Sequence, residues 1–537
     1  MKINVAMELN KSKGAVGSIL SHRGLTEEWL SAGEKDLLDG RDMRNFEKAE
    51  QLLKENLEKK IAIYVDSDTD GFSSSAIMFA WLADKYGVVP EVIIPAGKVH
   101  GIILDLIPED IDLLIVPDAS SSEGEIHKIL IERGTQVLVL DHHEIDLEGG
   151  EHAVIVNPHH PECTYKNKDL SGTGVVYKFI EGVDKNDKVD FYSKHLDLAA
   201  IATVADSMSL KSMDNKAIAN LGLREINNPY FKEYYNFNTR LASKPFDATL
   251  VSFYLVPPIN ALIRIGEVED KRDLFFAMAG EAQAQPVVAM IGRIKSKQDR
   301  DKTPVITRIA LNLAKEDGLK HSAIMTKVPP TAAKAVTGVM AGQLTNIYKR
   351  PIFLFREDGE GNLTGSARNP NNSPVSNLKD FCNESGLFNW AAGHQAAFGW
   401  SLPKENKEKF LEYCDNNLPP YEPVFYVDFE IGKDDNKAEI VKEISELSPH
   451  YGPGFSEVLI KEQLFVKPSD ISVIGKNKNV LKFFSGGITY IAFGFNDPLP
   501  MSPGIWTIVG KPSMNEFNEM LNPQITIESW EVSEVEL

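Results

Sequence analysis

Between Lys60 and Asp206 the chain repeats a pattern that leaves few folds open. A short apolar run ends in acidic or imidazole side chains, and a helix-type segment follows. Ile61–Val65 runs into Asp66-Ser67-Asp68-Thr69-Asp70-Gly71, Leu113–Pro117 runs into Asp118, and Val137–Leu140 runs into Asp141-His142-His143. Val92–Ile94 and Ala153–Val156 read as further strands, and Ser73–Tyr86, Glu123–Arg133 and Gly174–Gly182 as helices. Strands alternating with helices predict an α/β fold with a parallel, doubly wound sheet. Such a sheet brings its carboxyl strand ends to one edge, where ligands bind. A later helix, Leu196–Ala205, ends at Asp206.

Carboxylates and imidazoles gathered at one edge repel each other or sit unpaired unless cations neutralise them. Aspartate oxygens and histidine nitrogens suit Mn²⁺ or Mg²⁺. Two such ions side by side can activate a water and stabilise both the attacking and leaving oxygens at a phosphorus. Each piece alone is weak. A single Asp after a strand most often caps a turn or helix. Asp-x-Asp-x-Asp-Gly also opens EF-hand calcium loops, but those need Glu at the twelfth position, here Ile77, and a helix before the loop. The order and placement of all four elements carry the case.

That order resembles the four motifs of the DHH phosphoesterase superfamily: Asp-x-Asp-x-Asp-Gly, a strand-end Asp, Asp-His-His, and Val204-Ala205-Asp206. Several segments resemble its RecJ branch of single-strand-specific 5′→3′ exonucleases. They are Ile155-Val156-Asn157-Pro158, Leu170-Ser171-Gly172-Thr173-Gly174-Val175, and Asn260-Ala261 with Arg264. Gly365-Ser366-Ala367-Arg368 and Gly393–Gly399, which includes His394, look like a DHHA1 domain, and Tyr451–Phe455 like the entry to an OB-like domain. The resemblance implies metal ligands at Asp68, Asp70, Asp118, His142 and Asp206. His143 would contact the scissile phosphate or aid proton transfer, with Asp141 beside it, and Asp66 would orient ligands from behind. Arg264, Ser366 and Arg368 would grip a terminal 5′-phosphate, for which the planar guanidinium fork is suited. Asn260 and His394 would lie against the nucleic acid. The chain departs from the RecJ pattern at Ala119-Ser120-Ser121, where an Asn-Gly type sequence is usual, and at Ser207-Met208-Ser209.

The implied organisation is an N-terminal helical segment (1–58), a DHH catalytic domain (59–215), a helical connector (216–325), a DHHA1 domain (326–418) and a β-rich OB-like domain (419–537). A chain of 537 residues exceeds what one core supports. A net charge of −20 argues against a generic DNA-coating protein, whose affinity comes from Lys and Arg. One stretch runs the other way: from Arg293 to Lys327 nine basic side chains face four acidic ones. That stretch reads equally as a basic groove or as a solvated helix surface. Three cysteines with no close pair speak against disulfides or a zinc–thiolate site and for reducing cytoplasm. No membrane span or signal core is expected. The partners implied are two divalent cations, single-stranded DNA and a single-strand-binding protein, in a bacterial or phage-encoded setting. Two rival readings are a smaller-substrate DHH enzyme acting on oligoribonucleotides or cyclic dinucleotides, and a non-catalytic Cdc45-like replication scaffold.

Overall fold

The computed structural model describes residues 2–10, 12–97, 101–238, 241–242, 244–315, 319–370, 373, 375–418, 424–476, 478–494, 503–517 and 520–534. They fall into two compact units. One comprises Ala15–Lys295 with Glu446–Glu457; the other comprises Met1–Gly14, Ser296–Ser445 and Val458–Leu537.

The first unit is built on a five-stranded parallel sheet of order β2-β1-β3-β4-β5. Its strands are β1 (Ile61–Tyr64), β2 (Glu91–Ile93), β3 (Leu113–Pro117), β4 (Gln136–Leu140) and β5 (Val154–Val156). Every residue of β1 and β3 is buried. That is why these strands are continuous apolar runs: helices cover both faces of a parallel sheet. Helix α1 (Thr69–Tyr86) starts directly after β1, capped by Asp68 Oδ1, which accepts from the backbone of Asp70 and Gly71. Helices α2 (Gly172–Asp187) and α3 (Leu196–Ala205) pack with it, and Ser171 caps α2 through Gly174 N. The expected helices and strands are all present, most of them shifted or extended by a few residues at their ends.

A helical run from Ala248 to Ile265 closes this unit and ends in α4 (Val256–Ile265). By length and composition alone this run could cross a membrane, but 56% of it is buried within the protein, as in a core helix. Helix α5 (Ala284–Lys315) carries the basic stretch. Arg293, Lys297, Arg300 and Arg308 are exposed on it, whereas Lys302 is buried against Asp299. Glu316 and Asp317 lie outside the described residues.

The second unit holds a five-stranded mixed sheet of order β9-β10-β8-β7-β6. Its strands are β6 (Ile324–Lys327), β7 (Ile352–Glu357), β8 (Asn362–Arg368), β9 (Trp390–His394) and β10 (Ala397–Pro403), with helix α6 (Thr337–Tyr348) packed on it. Phe353, Trp400 and Phe410 centre its core, which also buries Cys382 and Cys414. The C-terminal part is a seven-stranded mixed sheet whose longest piece is the hairpin Gly504–Phe517/Met520–Glu534, bulged at Val509/Gly510. One element departs from the expected helical N-terminus: Lys2–Val5 is a strand, paired in parallel with Val424–Val427. Its alternation of Ile3 and Val5 with polar residues has the period of a strand.

Candidate metal centre

The carboxyl ends of β1, β3 and β4 and the end of α3 converge. Asp66, Asp68 and Asp70 follow β1, Asp118 follows β3, Asp141, His142 and His143 follow β4, and Asp206 caps α3. Three overlapping groups have ligand atoms all within 4.8 Å of one another: Asp66/Asp68/Asp118, Asp70/His142/Asp206 and Asp118/His142/His143. At their centre His142 Nε2 stands 3.2 Å from Asp118 Oδ1, 3.4 Å from Asp206 Oδ2 and 3.8 Å from Asp70 Oδ2. Asp66 therefore sits among the candidate ligands rather than behind them.

Asp118 Oδ1, Asp206 Oδ2 and His142 Nε2 are buried and have no hydrogen-bond partner. Burial holds the His142 imidazole neutral, down at about 4. Burial and the surrounding Asp70, Asp68, Asp66 and Asp206 carboxylates push Asp118 well above the usual range. Burial first, then Asp70 and Asp68, push Asp206 up to about 8, and burial pushes Asp70 up to about 6. Buried acceptors pressed together without donors cost several kcal/mol unless a positive charge joins them. Carboxylate oxygens with one or two imidazole nitrogens fit Mn²⁺ or Mg²⁺.

The chain spends its own donors on orienting this set. Asp70 accepts from Gly172 N at 2.7 Å, Thr173 N at 2.9 Å and Thr173 Oγ1 at 2.5 Å, so the start of α2 fixes its carboxylate. Gly172 has no room for a side chain, since a Cβ there would lie 2.3 Å from Asp118 Oδ1. Asp141 takes no place among the ligand groups. Its Oδ1 accepts from His142 N and lies 2.8 Å from His143 Nδ1, and its Oδ2 accepts from Ser121 N. Burial alone would raise Asp141, but the His143 hydrogen bond and charge bring it well below the usual carboxylate range. Burial opposes the charge on His143, yet Asp141 raises that imidazole to about 9. Asp141 thus acts through His143, which is 44% exposed at the mouth of the cluster. Asn157 completes the arrangement, donating to the His143 carbonyl at 2.9 Å and to Ser121 Oγ at 2.8 Å.

Asn260 and Arg264 lie on α4 in the same unit. Asn260 Oδ1 accepts from Thr69 Oγ1 at 3.0 Å, and burial lowers the Arg264 guanidinium from its ordinary value, with the Asp68 charge opposing it in part. In the second unit Ser366 and Arg368 alternate along β8 and share one face, beside Gly338 at the start of α6. A Cβ on Gly338 would meet Arg368 Nη2 at 2.8 Å and Ser366 Oγ at 3.7 Å. His394 ends β9, where it pairs with Ala397, itself opposite Arg368.

Comparison with known proteins extends this geometry. Residues 60–203 match the family model described as DHH family, N-terminal domain, and residues 427–529 match the RecJ OB domain. The chain is 30% identical, over 96% of its own length and 96% of the other, to YorK of the Bacillus subtilis (strain 168) SPbeta prophage, provisionally named a single-strand DNA-specific exonuclease. The chain belongs to the RecJ-like DHH family. It is 28% identical to the single-stranded-DNA-specific exonuclease RecJ of Bacillus subtilis, over 97% of this chain and 68% of that one. The crystal structure of Thermus thermophilus RecJ in complex with Mn²⁺ superposes with a TM-score of 0.78 at 21% identity, over 99% of this chain and 80% of that one, and shares its fold.

Within the RecJ-like pattern, the departure after Asp118 has a local account. Asp118 and Ser120 both adopt positive φ, 63° and 82°. Glycine takes that conformation without cost and other residues do not. Here Ser120 Oγ lies 2.5 Å from Glu123 Oε2 and 2.9 Å from His127 Nε2, both within the same loop and helix, and these bonds hold the strained turn. Sequence reasoning marked Ser120 only as a departure from the pattern; it did not single out Glu123 or His127, nor the roles of Thr173 and Asn157. Their signal was present only as the Ser-Gly-Thr-Gly and Asn-Pro segments, whose function needs the fold to be read.

Proposed function

We propose that the chain is a divalent-cation-dependent phosphodiesterase that degrades single-stranded DNA from the 5′ end and releases mononucleotides. The observation that carries this reading is the buried cluster of Asp118, His142 and Asp206, whose ligand atoms face one another without donors. Similarity along 96–97% of this chain to YorK and to RecJ, both named for exonuclease action on single-stranded DNA, supports the substrate.

Asp68, Asp70, Asp118, His142 and Asp206 would hold two Mn²⁺ or Mg²⁺ ions, with Asp66 as a further ligand. Bound there, the ions would supply an activated water and charge neutralisation at phosphorus. Gly172 and Thr173 hold Asp70 in place, and Asn157 and Ser121 hold the Asp141–His143 pair. His143, positively charged at neutral pH, is placed to donate to a phosphate oxygen or to the leaving oxygen. Arg264, Ser366 and Arg368 would bind the terminal phosphate, and Asn260 and His394 would contact the strand. The domain division at 59–215, 216–325, 326–418 and 419–537 belongs to the same proposal.

The test is nucleotide release from 5′-labelled single strands with Mn²⁺. Asp118→Ala and His142→Ala should each abolish it, and full activity in either variant refutes the assignment. Rates on a long strand and on a dinucleotide separate this reading from a small-substrate enzyme. Calorimetric Mn²⁺ titration separates it from a non-catalytic scaffold.

A further inference from the structure

Two consecutive prolines in a core helix have an effect beyond local packing. Pro257 and Pro258 lack the N–H groups that would bond the carbonyls of Phe253 and Tyr254 in an α-helix. The helix answers with a π-turn over Val251–Leu255, in which Val256 N reaches back five residues to Val251 O. Tyr234 OH takes up the carbonyl of Tyr254 at 3.2 Å. The turn pushes two adjacent rings outward: Phe253 is 72% and Tyr254 42% exposed. Single-turn π segments of this kind recur at functional sites.

A lone exposed ring is ordinary on a protein surface. This one ends a continuous stripe. From Leu255 to Ile263 only Pro257 and Asn260 escape full burial, and Arg264 follows, also partly exposed. Residues 253, 257, 260 and 264 are spaced four, three and four apart, which is one face of a helix. One end of the stripe is therefore Asn260, bonded to Thr69 beside Asp68, and Arg264, drawn by the Asp68 charge. The other end is Phe253. At 1.5 Å per residue the stripe is about 16 Å long, several nucleotides at the ~3.4 Å rise of a stacked strand and fewer of a stretched one. Lys244 Nζ stands 5.3 Å from the Tyr254 ring centroid, placing a cation for a phosphate beside the rings.

The geometry points to Phe253 as a stacking platform for a base of the bound single strand, with Tyr254 and Lys244 flanking it. This inference rests on the nuclease reading above and adds to it a subsite remote from the reacting phosphate. Stacking on an aromatic ring is sequence-tolerant, because every base presents a π-face. It would fix the strand against sliding while the terminal phosphate is engaged, and so act on affinity rather than on the chemical step.

The experiment uses the full chain with Mn²⁺, a long oligothymidylate and the dinucleotide pdTpdT. Phe253→Ala should raise KM for the long strand about tenfold, leave its kcat unchanged, and leave both constants for the dinucleotide unchanged. Phe253→Trp should restore KM, and its emission should be quenched by oligothymidylate in EDTA, where no turnover occurs, beyond any quenching of the six tryptophans in the unaltered chain. Because the ring is exposed, the thermal midpoint of Phe253→Ala should match that of the unaltered chain. An unchanged KM in Phe253→Ala, or an equal rise on the dinucleotide, overturns the inference and leaves the ring to a protein partner. If the unaltered chain releases no nucleotides while Phe253→Trp is quenched by the strand, the nuclease reading fails and the stacking subsite stands.

Discussion

Loading the acidic cluster with Mn²⁺ at pH 7 should release at least about one proton per chain. In the cation-free protein Asp118 is raised well above the usual carboxyl range, Asp206 to about 8 and Asp70 to about 6. At pH 7 Asp206 is then about nine-tenths protonated and Asp70 about one-tenth, which gives roughly one proton to displace, and the raised Asp118 carboxyl can only add to it. His142, at about 4, is already neutral and adds none. The release should rise toward pH 5, as Asp70 takes up its proton, and fall above pH 8, as Asp206 loses its own. Titration calorimetry in two buffers of different ionisation enthalpy reads the number directly. The same groups set the stability of the cation-free chain. A carboxyl raised in the fold binds protons that the unfolded chain has lost, so its contribution declines as pH rises from its unfolded value through its folded one. His143, raised to about 9, acts in the same direction above its ordinary value. Asp141 is lowered and acts oppositely, but its effect is complete below about pH 5. Between pH 6 and 8 these raised groups should therefore draw stability to urea down by on the order of 2 kcal/mol per pH unit, opposed by the lowered Lys216, His127, His142, His195 and His450, and Mn²⁺ should remove the cluster's share of that slope. No proton release on Mn²⁺ binding would refute the argument that these carboxylates share one buried pocket.

Other consequences follow from single contacts. Asp141→Asn should bring the His143 titration, followed by NMR, from about 9 down toward an ordinary imidazole value, with activity at pH 8 reduced by roughly 10²-fold. Gly172→Ala places a methyl 2.3 Å from Asp118 Oδ1; Mn²⁺ affinity should drop about tenfold or more, since displacing the support of a ligand typically costs that much. Gly338→Ala crowds Arg368 Nη2 and should weaken 5′-phosphorylated strands more than 5′-hydroxyl strands, while equal effects on both would remove Arg368 from the terminal-phosphate site.

How much of this was legible beforehand depends on whether a signal was local or long-range. The parallel sheet could be read because β1 and β3 are buried on both faces and so appear as unbroken apolar runs. The ligand candidates could be read because strand ends in such a sheet share an edge. The division of labour within the cluster could not. Asp141 and Asp118 look alike in sequence, and only the donors around them show that one is saturated and the other is not. The strand at Lys2–Val5 was missed for a related reason: four residues declare a strand only through a partner, here more than 400 positions away. The π-turn was hidden as well, since the paired prolines mark a break without saying that the helix would resume.

That remote partnership between the first and the later chain has a cost in time. Lys2–Val5 leaves the ribosome more than 400 residues ahead of its partner Val424–Val427. At about 5–20 residues per second the wait is roughly 20–80 s. Throughout it the leading strand has unfilled amide and carbonyl groups that invite foreign pairing. Fusions at the amino end, or chains cut short before residue 424, should for that reason be prone to clumping, even though the cation-binding sheet lies entirely between those points.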